Sequence, residues 1–161
     1  MVMDKSLKIG DQIEVEIGPI ANGGHFISRH NGQVVFVRHA ITGEKAIVKI
    51  TSVSSKLAHG DAVEILSEST DRIKPICNYA IPGGCGGCDF QHINMSAQQK
   101  FKLEVIRDQF MRIARMEVDP EMVSVEPKNV ELFDAGDFGT RARGVFNDGK
   151  LHFVKLGNKD Q

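Results

Sequence analysis

The chain has 161 residues, 41% of them hydrophobic and 25% charged, with a formal net charge of −1, which is the composition of an ordinary globular protein with one good core or two small ones. No apolar run reaches the roughly 20 residues that cross a bilayer, and Met1 to Gly10 lacks the basic-then-apolar profile of a signal peptide. The expectation is a cytoplasmic chain without a membrane partner.

Gln12 to Ile17 alternates, with Ile13, Val15 and Ile17 on one side and Glu14 and Glu16 on the other, the period-2 mark of a half-buried strand. Gly24 to His30 and Gln33 to Arg38 flank Asn31-Gly32, a pair that tolerates the positive φ values of a type I′ turn and predicts a tight hairpin. Glu44 to Ser52 alternates through Ala46, Val48 and Ile50, and Asp61 to Leu66 reads as a fifth strand entered through His59-Gly60. Five short strands in so little chain suggest a small OB-like barrel, because closure removes edges that would otherwise be exposed.

Asp71 to Pro75 reads as a linker into Pro82-Gly83-Gly84-Cys85-Gly86-Gly87-Cys88, which is too glycine-rich for helix or strand and must be a loop. A helix is expected from Ser96, with Ser96 and Gln99 as a capping box and an apolar face of Leu103, Ile106, Phe110 and Ile113. Lys100, Arg107 and Arg115 fall on its other side. Val123 to Val125 and Val130 to Leu132 are weaker strand candidates. Arg141 to Phe146 and Leu151 to Leu156 form a clearer hairpin around Asn147-Asp148-Gly149. The fold class is α+β, a small barrel over residues 4–68 followed by a partial α+β unit over 69–161 that carries the cysteine-rich loop.

The near-neutral total conceals segregation. Between Gly18 and Gly60 five basic residues (Arg29, Arg38, Lys45, Lys49, Lys56) face one acid, Glu44, giving a local charge of +4. Ser96 to Met116 is locally +3, whereas Glu117 to Asp137 holds seven acids and only Lys128. This is the pattern of a polyanion-binding face beside an acidic surface, although such runs also arise as solvated faces. Arg29, Arg38, Lys45 and Lys49 are the candidate phosphate contacts, with His25 and Phe26 as candidate stacking rings. Phe26 is equally placed for the core, the commoner fate of such a residue.

Cys77, Cys85 and Cys88 cannot pair evenly, and in a reducing compartment three clustered thiols point to metal rather than to a disulfide partner. Glycines let the backbone bend so that several thiolates converge. An iron–sulfur cluster ordinarily takes four thiolates. Zinc takes four tetrahedral ligands, and His92 would complete a Cys3His set. Spacing alone leaves both metals open, beside the plainer reading of reduced structural cysteines.

Cys77, then Pro82 to His92 (PGGCGGCDFQH), then a helix near Ser96 with Gln99, Lys100 and Lys102, resembles the iron–sulfur motif of the TRAM-domain-containing RNA uracil-5-methyltransferases. Ile13 to Ile17, Asn22-Gly23-Gly24 and Val35-Phe36-Val37 leading to Gly43-Glu44 are similar to the TRAM domain preceding that motif. The resemblance covers about Asp4 to Phe153. It implies an RNA partner, ribosomal or transfer RNA, and a [4Fe–4S] cluster held by Cys77, Cys85 and Cys88, with the fourth ligand missing from this chain. It also implies that the S-adenosylmethionine-binding domain belongs only to the full-length parent, so that no catalytic residue is expected here. The alternative is a stand-alone RNA-binding or zinc-binding module without catalytic activity.

Overall fold

The computed structural model describes residues 6–84 and 87–117, and the backbone of two strands at 143–147 and 150–154. Five strands, β1 (Gln12–Glu16), β2 (Phe26–His30), β3 (Gln33–Arg38), β4 (Lys45–Val53) and β5 (Leu57–Ser67), form one sheet in the order β1-β4-β5-β3-β2. All neighbours are antiparallel except β3 and β5, which run parallel. Just past β1 the sheet curls back on itself. The Gly18 N–H donates to the Ile27 carbonyl at 2.8 Å, the Ile27 N–H to Pro19 at 2.9 Å, and the Ser28 hydroxyl to the Glu16 carbonyl at 2.7 Å. These bonds occupy edge groups that would otherwise be left open. The five-stranded sheet and the helix that follows it make an α+β fold.

Alternation decides what is inside. Ile13 and Val15 from β1, Phe26 from β2, Val35 and Val37 from β3, Ala46, Val48 and Ile50 from β4, and Ala58 and Ala62 from β5 are buried, while the intervening residues face outward. The expected β2–β3 turn is present, with Asn31 at φ 48° and Gly32 at φ 80°. Phe26, offered above as a stacking ring or a core residue, is core at 1% exposed.

The fifth strand departs from expectation. His59-Gly60 is not its entry turn but lies inside it, with Gly60 paired to Val37 on one side and Ile50 on the other. A Cβ on Gly60 would sit 2.5 Å from Val48 Cγ1 and 2.8 Å from the Lys49 carbonyl oxygen, so glycine serves close strand packing here rather than a turn.

Helix α1 (Met95–Gln109) caps one side of the barrel through Ala97 and Phe101, whose ring meets Phe26 edge-on at 5.3 Å. Its cap is Asn94, whose Oδ1 accepts from the Ala97 N–H at 2.8 Å, and not the expected Ser96 with Gln99. Asn94 wins because its amide also donates to Asp71, at 2.9 Å, and so ties the helix start to the preceding segment. Among the described residues Phe110 and Ile113, two members of the expected apolar face, are exposed, and the buried pair is instead Ala97 and Phe101. Lys100, Arg107 and Arg115 are exposed as expected. One wide turn, Phe110–Ala114, closes the helix at Arg115, φ 53°.

Strands β6 (Arg143–Asn147) and β7 (Lys150–Val154) pair antiparallel where the second hairpin was expected. The strand candidates at 123–125 and 130–132 lie outside the described residues. Among the described residues no helix is long and apolar enough to cross a membrane.

Candidate nucleic-acid interface and cysteine loop

Because Val35 and Val37 point inward, Phe36 and Arg38 point out, and the parallel register sets Phe36 beside His59. Their rings stack at 5.3 Å and 26°. His25, entering β2, stands edge-on to both, 5.7 Å from His59 and 6.4 Å from Phe36. All three are partly exposed. Burial, and then the neighbouring His59, hold the His25 pKa below its ordinary value, which favours the neutral ring. A flat, partly exposed aromatic patch on a barrel face can stack unpaired bases regardless of sequence. Sequence reading found His25 but missed Phe36 and His59. A phenylalanine on the outward phase of a strand was the signal for Phe36, whereas His59 was concealed by reading its strand too short.

The four basic candidates do not form one patch. Arg38 flanks the rings and reaches Asp89 of the cysteine loop at 3.2 Å. Arg29 is exposed on β2. Lys45 and Lys49 lie on β4; Lys49 stands opposite Asp61 of β5, which Arg38 flanks from β3, whereas Lys45 is farther along β4 and paired at 2.6 Å with Glu14, with Glu16 opposite it in register. The bond to Glu14, and then its charge, raise the Lys45 pKa.

The segment expected to be a linker is fastened to the barrel. Arg72 sends Nε and Nη2 to the two oxygens of the fully buried Glu44, each at 2.6 Å, and Glu44 also accepts from the Ile41 and Ser69 N–H groups. The Ile73 N–H donates to the His92 carbonyl, and His92, 4% exposed, places Nε2 3.0 Å from the Ala40 carbonyl. Burial lowers the His92 pKa to about 4. Phe90 packs over Gly24, close enough that a Cβ there would lie 3.2 Å from its ring. Arg38 to Asp89 completes the joint.

Between this loop, the barrel and α1 lies an open groove of about 770 Å³, lined mainly by apolar atoms and bordered by Gly24, Cys88, Phe90, Gln91, Met95 and Lys102. Cys77 and Cys88 are free thiols of intermediate exposure, and Cys85 lies outside the described residues. Among the described residues no three of His, Cys, Asp or Glu gather into a metal-holding group, so Cys77, Cys88 and His92 do not stand together as a Cys3His site would require. The Gln91 side-chain Oε1 accepts from the Cys77 N–H at 3.0 Å, and its buried Nε2 has no partner among the described residues. Unpaired thiols and an unused amide donor are chemically suited to a sulfur-rich group.

Residues 6–63 match the TRAM domain. The chain is 50% identical over 109 residues, 66% of its length, to a protein of Streptomyces avermitilis named an uncharacterized RNA methyltransferase. It is 34% identical over 148 residues, 91% of its length, to one of the same description from Corynebacterium glutamicum. A tRNA (uracil-54, C5)-methyltransferase from Pyrococcus abyssi, solved with S-adenosyl-L-homocysteine, superposes with a TM-score of 0.38 at 24% identity over 65% of this chain and 22% of that one, too loosely to bear on fold or function. The chain spans 25% and 34% of the length of the two named relatives. These similarities identify residues 6–63 as a TRAM domain and the chain as a relative of the TRAM-containing RNA methyltransferases.

Proposed function

We propose that this chain is the RNA-binding and iron–sulfur-binding portion of an S-adenosylmethionine-dependent methyltransferase acting on uracil C5 in ribosomal or transfer RNA. The observation that carries the RNA half is the partly exposed stack of His25, Phe36 and His59 beside Arg38, on a TRAM domain whose relatives are named RNA methyltransferases. Unpaired bases stack on the rings, each contributing about 1–3 kcal/mol. Arg38 and Arg29 neutralise neighbouring phosphates, which fixes the register of the strand without reading its sequence. Lys49, across Asp61 from Arg38, adds to them, and Lys45 contributes less, being held by Glu14 on β4.

Cys77, Cys85 and Cys88 are the proposed cluster ligands, and when bound the cluster would pin the loop beside α1. None of the three is assigned as the nucleophile. In this reading the methyl transfer, with thiolate attack on C6 of an extruded uracil, belongs to a region of the parent protein other than these residues. Support for the uracil and cluster assignments comes from the motif running from Cys77 to His92, and from the free thiols and the unused Gln91 donor beside the groove.

Fluorescence anisotropy with a short single-stranded RNA tests the RNA half. Phe36→Ala with His59→Ala should weaken binding about tenfold or more while leaving the melting temperature close to that of the parent. Unchanged affinity at low salt would remove the assignment. For the cluster, anaerobic reconstitution should give a charge-transfer band that Cys85→Ser abolishes and His92→Ala largely keeps. One equivalent of zinc lost on His92→Ala would instead establish the zinc alternative.

A further inference from the structure

We infer that Gln91 is a positioning residue for the cysteine loop, holding the Cys77 backbone with its carbonyl while its N–H group donates to a sulfur of the group bound by Cys77, Cys85 and Cys88. The inference rests on the iron–sulfur reading above, and three observations carry it. The Cys77 N–H donates to Gln91 Oε1 at 3.0 Å, fourteen residues away in sequence, so the amide ties the two ends of the cysteine segment together. That bond also fixes which way the amide faces, since a flipped amide would set its NH₂ against another donor. Nε2 is thereby committed to the opposite direction, where it is buried and finds no acceptor among the described residues.

Native proteins rarely leave such a donor unused, and an orphan of this kind calls for an explanation. Gln91 shares the groove wall with Cys88, and Cys88 is a free thiol. Thiolate and sulfide sulfurs accept N–H bonds, and because the reduced state carries more negative charge, each such bond raises the reduction potential. The amide therefore does two things for the loop. It sets the backbone of the first proposed ligand, and it offers a fixed dipole to the accumulated negative charge.

Gln91→Glu separates these roles, because the carboxylate still accepts from the Cys77 N–H but has no donor to offer. The full chain would be reconstituted anaerobically with iron, sulfide and an excess of a small thiol able to complete the coordination. Its midpoint potential would then be followed by optical titration and its bleaching in air by absorbance. Relative to the parent, Gln91→Glu should show a lower potential and bleach several-fold faster, while Gln99→Glu, the same charge change on α1, leaves both unchanged. Thermal melting shows whether each variant is folded, and Gln91→Met, which removes the donor without adding charge, should also lower the potential. A folded Gln91→Glu or Gln91→Met with the parental potential and bleaching rate overturns the role of Gln91 while leaving the cysteine assignment in place. A folded parent chain that takes up no iron under these conditions overturns both.

Discussion

The barrel and the segment docked on it are held together by different physics. The barrel is a sheet whose inward residues are almost all apolar, from Ile13 to Ala62, and whose backbone groups are consumed by its own ladders and by the closure at Gly18 and Ile27. Among the described residues, the segment from Ser69 to Phe101 has only Ile93, Ala97 and Phe101 as buried apolar residues. It is fastened instead by polar joints, Arg72 to Glu44, Asp89 to Arg38 and His92 to Ala40, while Asn94 to Asp71 braces the segment internally. Truncating an apolar core residue loses its burial and leaves a cavity, whereas breaking a polar joint in a buried place also leaves the surviving partner unsatisfied.

The most damaging single change should therefore be at a joint. In Glu44→Ala the Arg72 guanidinium, with only 15% of its side chain exposed, loses its carboxylate, and the Ile41 and Ser69 N–H groups lose their acceptor. Breaking a buried pair in this way costs about 3–5 kcal/mol, measurable as a shifted denaturant midpoint. A loss within about 1 kcal/mol of that at an exposed ion pair would mean the docked segment is held by packing after all. Next comes Phe101→Ala, which removes the ring that meets Phe26 and should cost about 3 kcal/mol. Hydrogen exchange sharpens this test. Amides of α1 should lose protection while those of Val35 and Val48 keep it, if the two regions open separately.

The same contrast explains what could be read in the sequence. The barrel was legible because burial in a strand repeats every second residue, so Ile13-Val15-Ile17 and Ala46-Val48-Ile50 announce themselves. Asn31-Gly32 set the register of the hairpin between β2 and β3 for the same local reason. Gly60 misled because a glycine needed for close strand packing looks, in sequence, like one needed for a turn. The docked segment was less legible, because its joints to the barrel link residues 28 to 52 positions apart with no period. Nothing local says that Glu44, counted above as the lone acid of a basic stretch, is buried against Arg72, or that Asn94 outcompetes Ser96 as the cap by reaching Asp71. At the candidate site, the aromatic stack needed the parallel pairing of β3 with β5 before Phe36 and His59 could be placed side by side.

Acid should act on the joint through His92. Burial holds its folded pKa at about 4 against 6.5 in an unfolded chain, so the unfolded state binds more protons between those values. Stability is then greatest above about pH 6.5 and falls as the pH drops toward 4, by on the order of 2 kcal/mol for this group. His25 and His39, both lowered chiefly by burial, act in the same direction. Denaturant midpoints at pH 7.5 and 4.5 check this, and His92→Gln should reduce the difference between them. An undiminished pH dependence in that variant would place the effect elsewhere.

The smallest effect is expected at Lys45, and it tests whether RNA follows the rings or simply follows positive charge. Lys45, on β4, stands beside Glu14 and Glu16 of β1, its ammonium 2.6 Å from the Glu14 carboxylate, so a phosphate approaching it must compete with one acid and pass another. Arg29 carries no ion pair among the described residues, and Arg38, although bonded to Asp89, borders the aromatic stack. Each phosphate neutralised on single-stranded RNA contributes about 0.7 to the slope of log affinity against log salt. Removing Arg29 and Arg38 together should flatten that slope by about 1.4, whereas Lys45→Ala should leave it unchanged and alter affinity by less than about twofold. A Lys45→Ala slope as flat as that of the arginine pair would mean that the RNA runs along β4 and β1, against their acidic residues, and the aromatic face would then be a bystander.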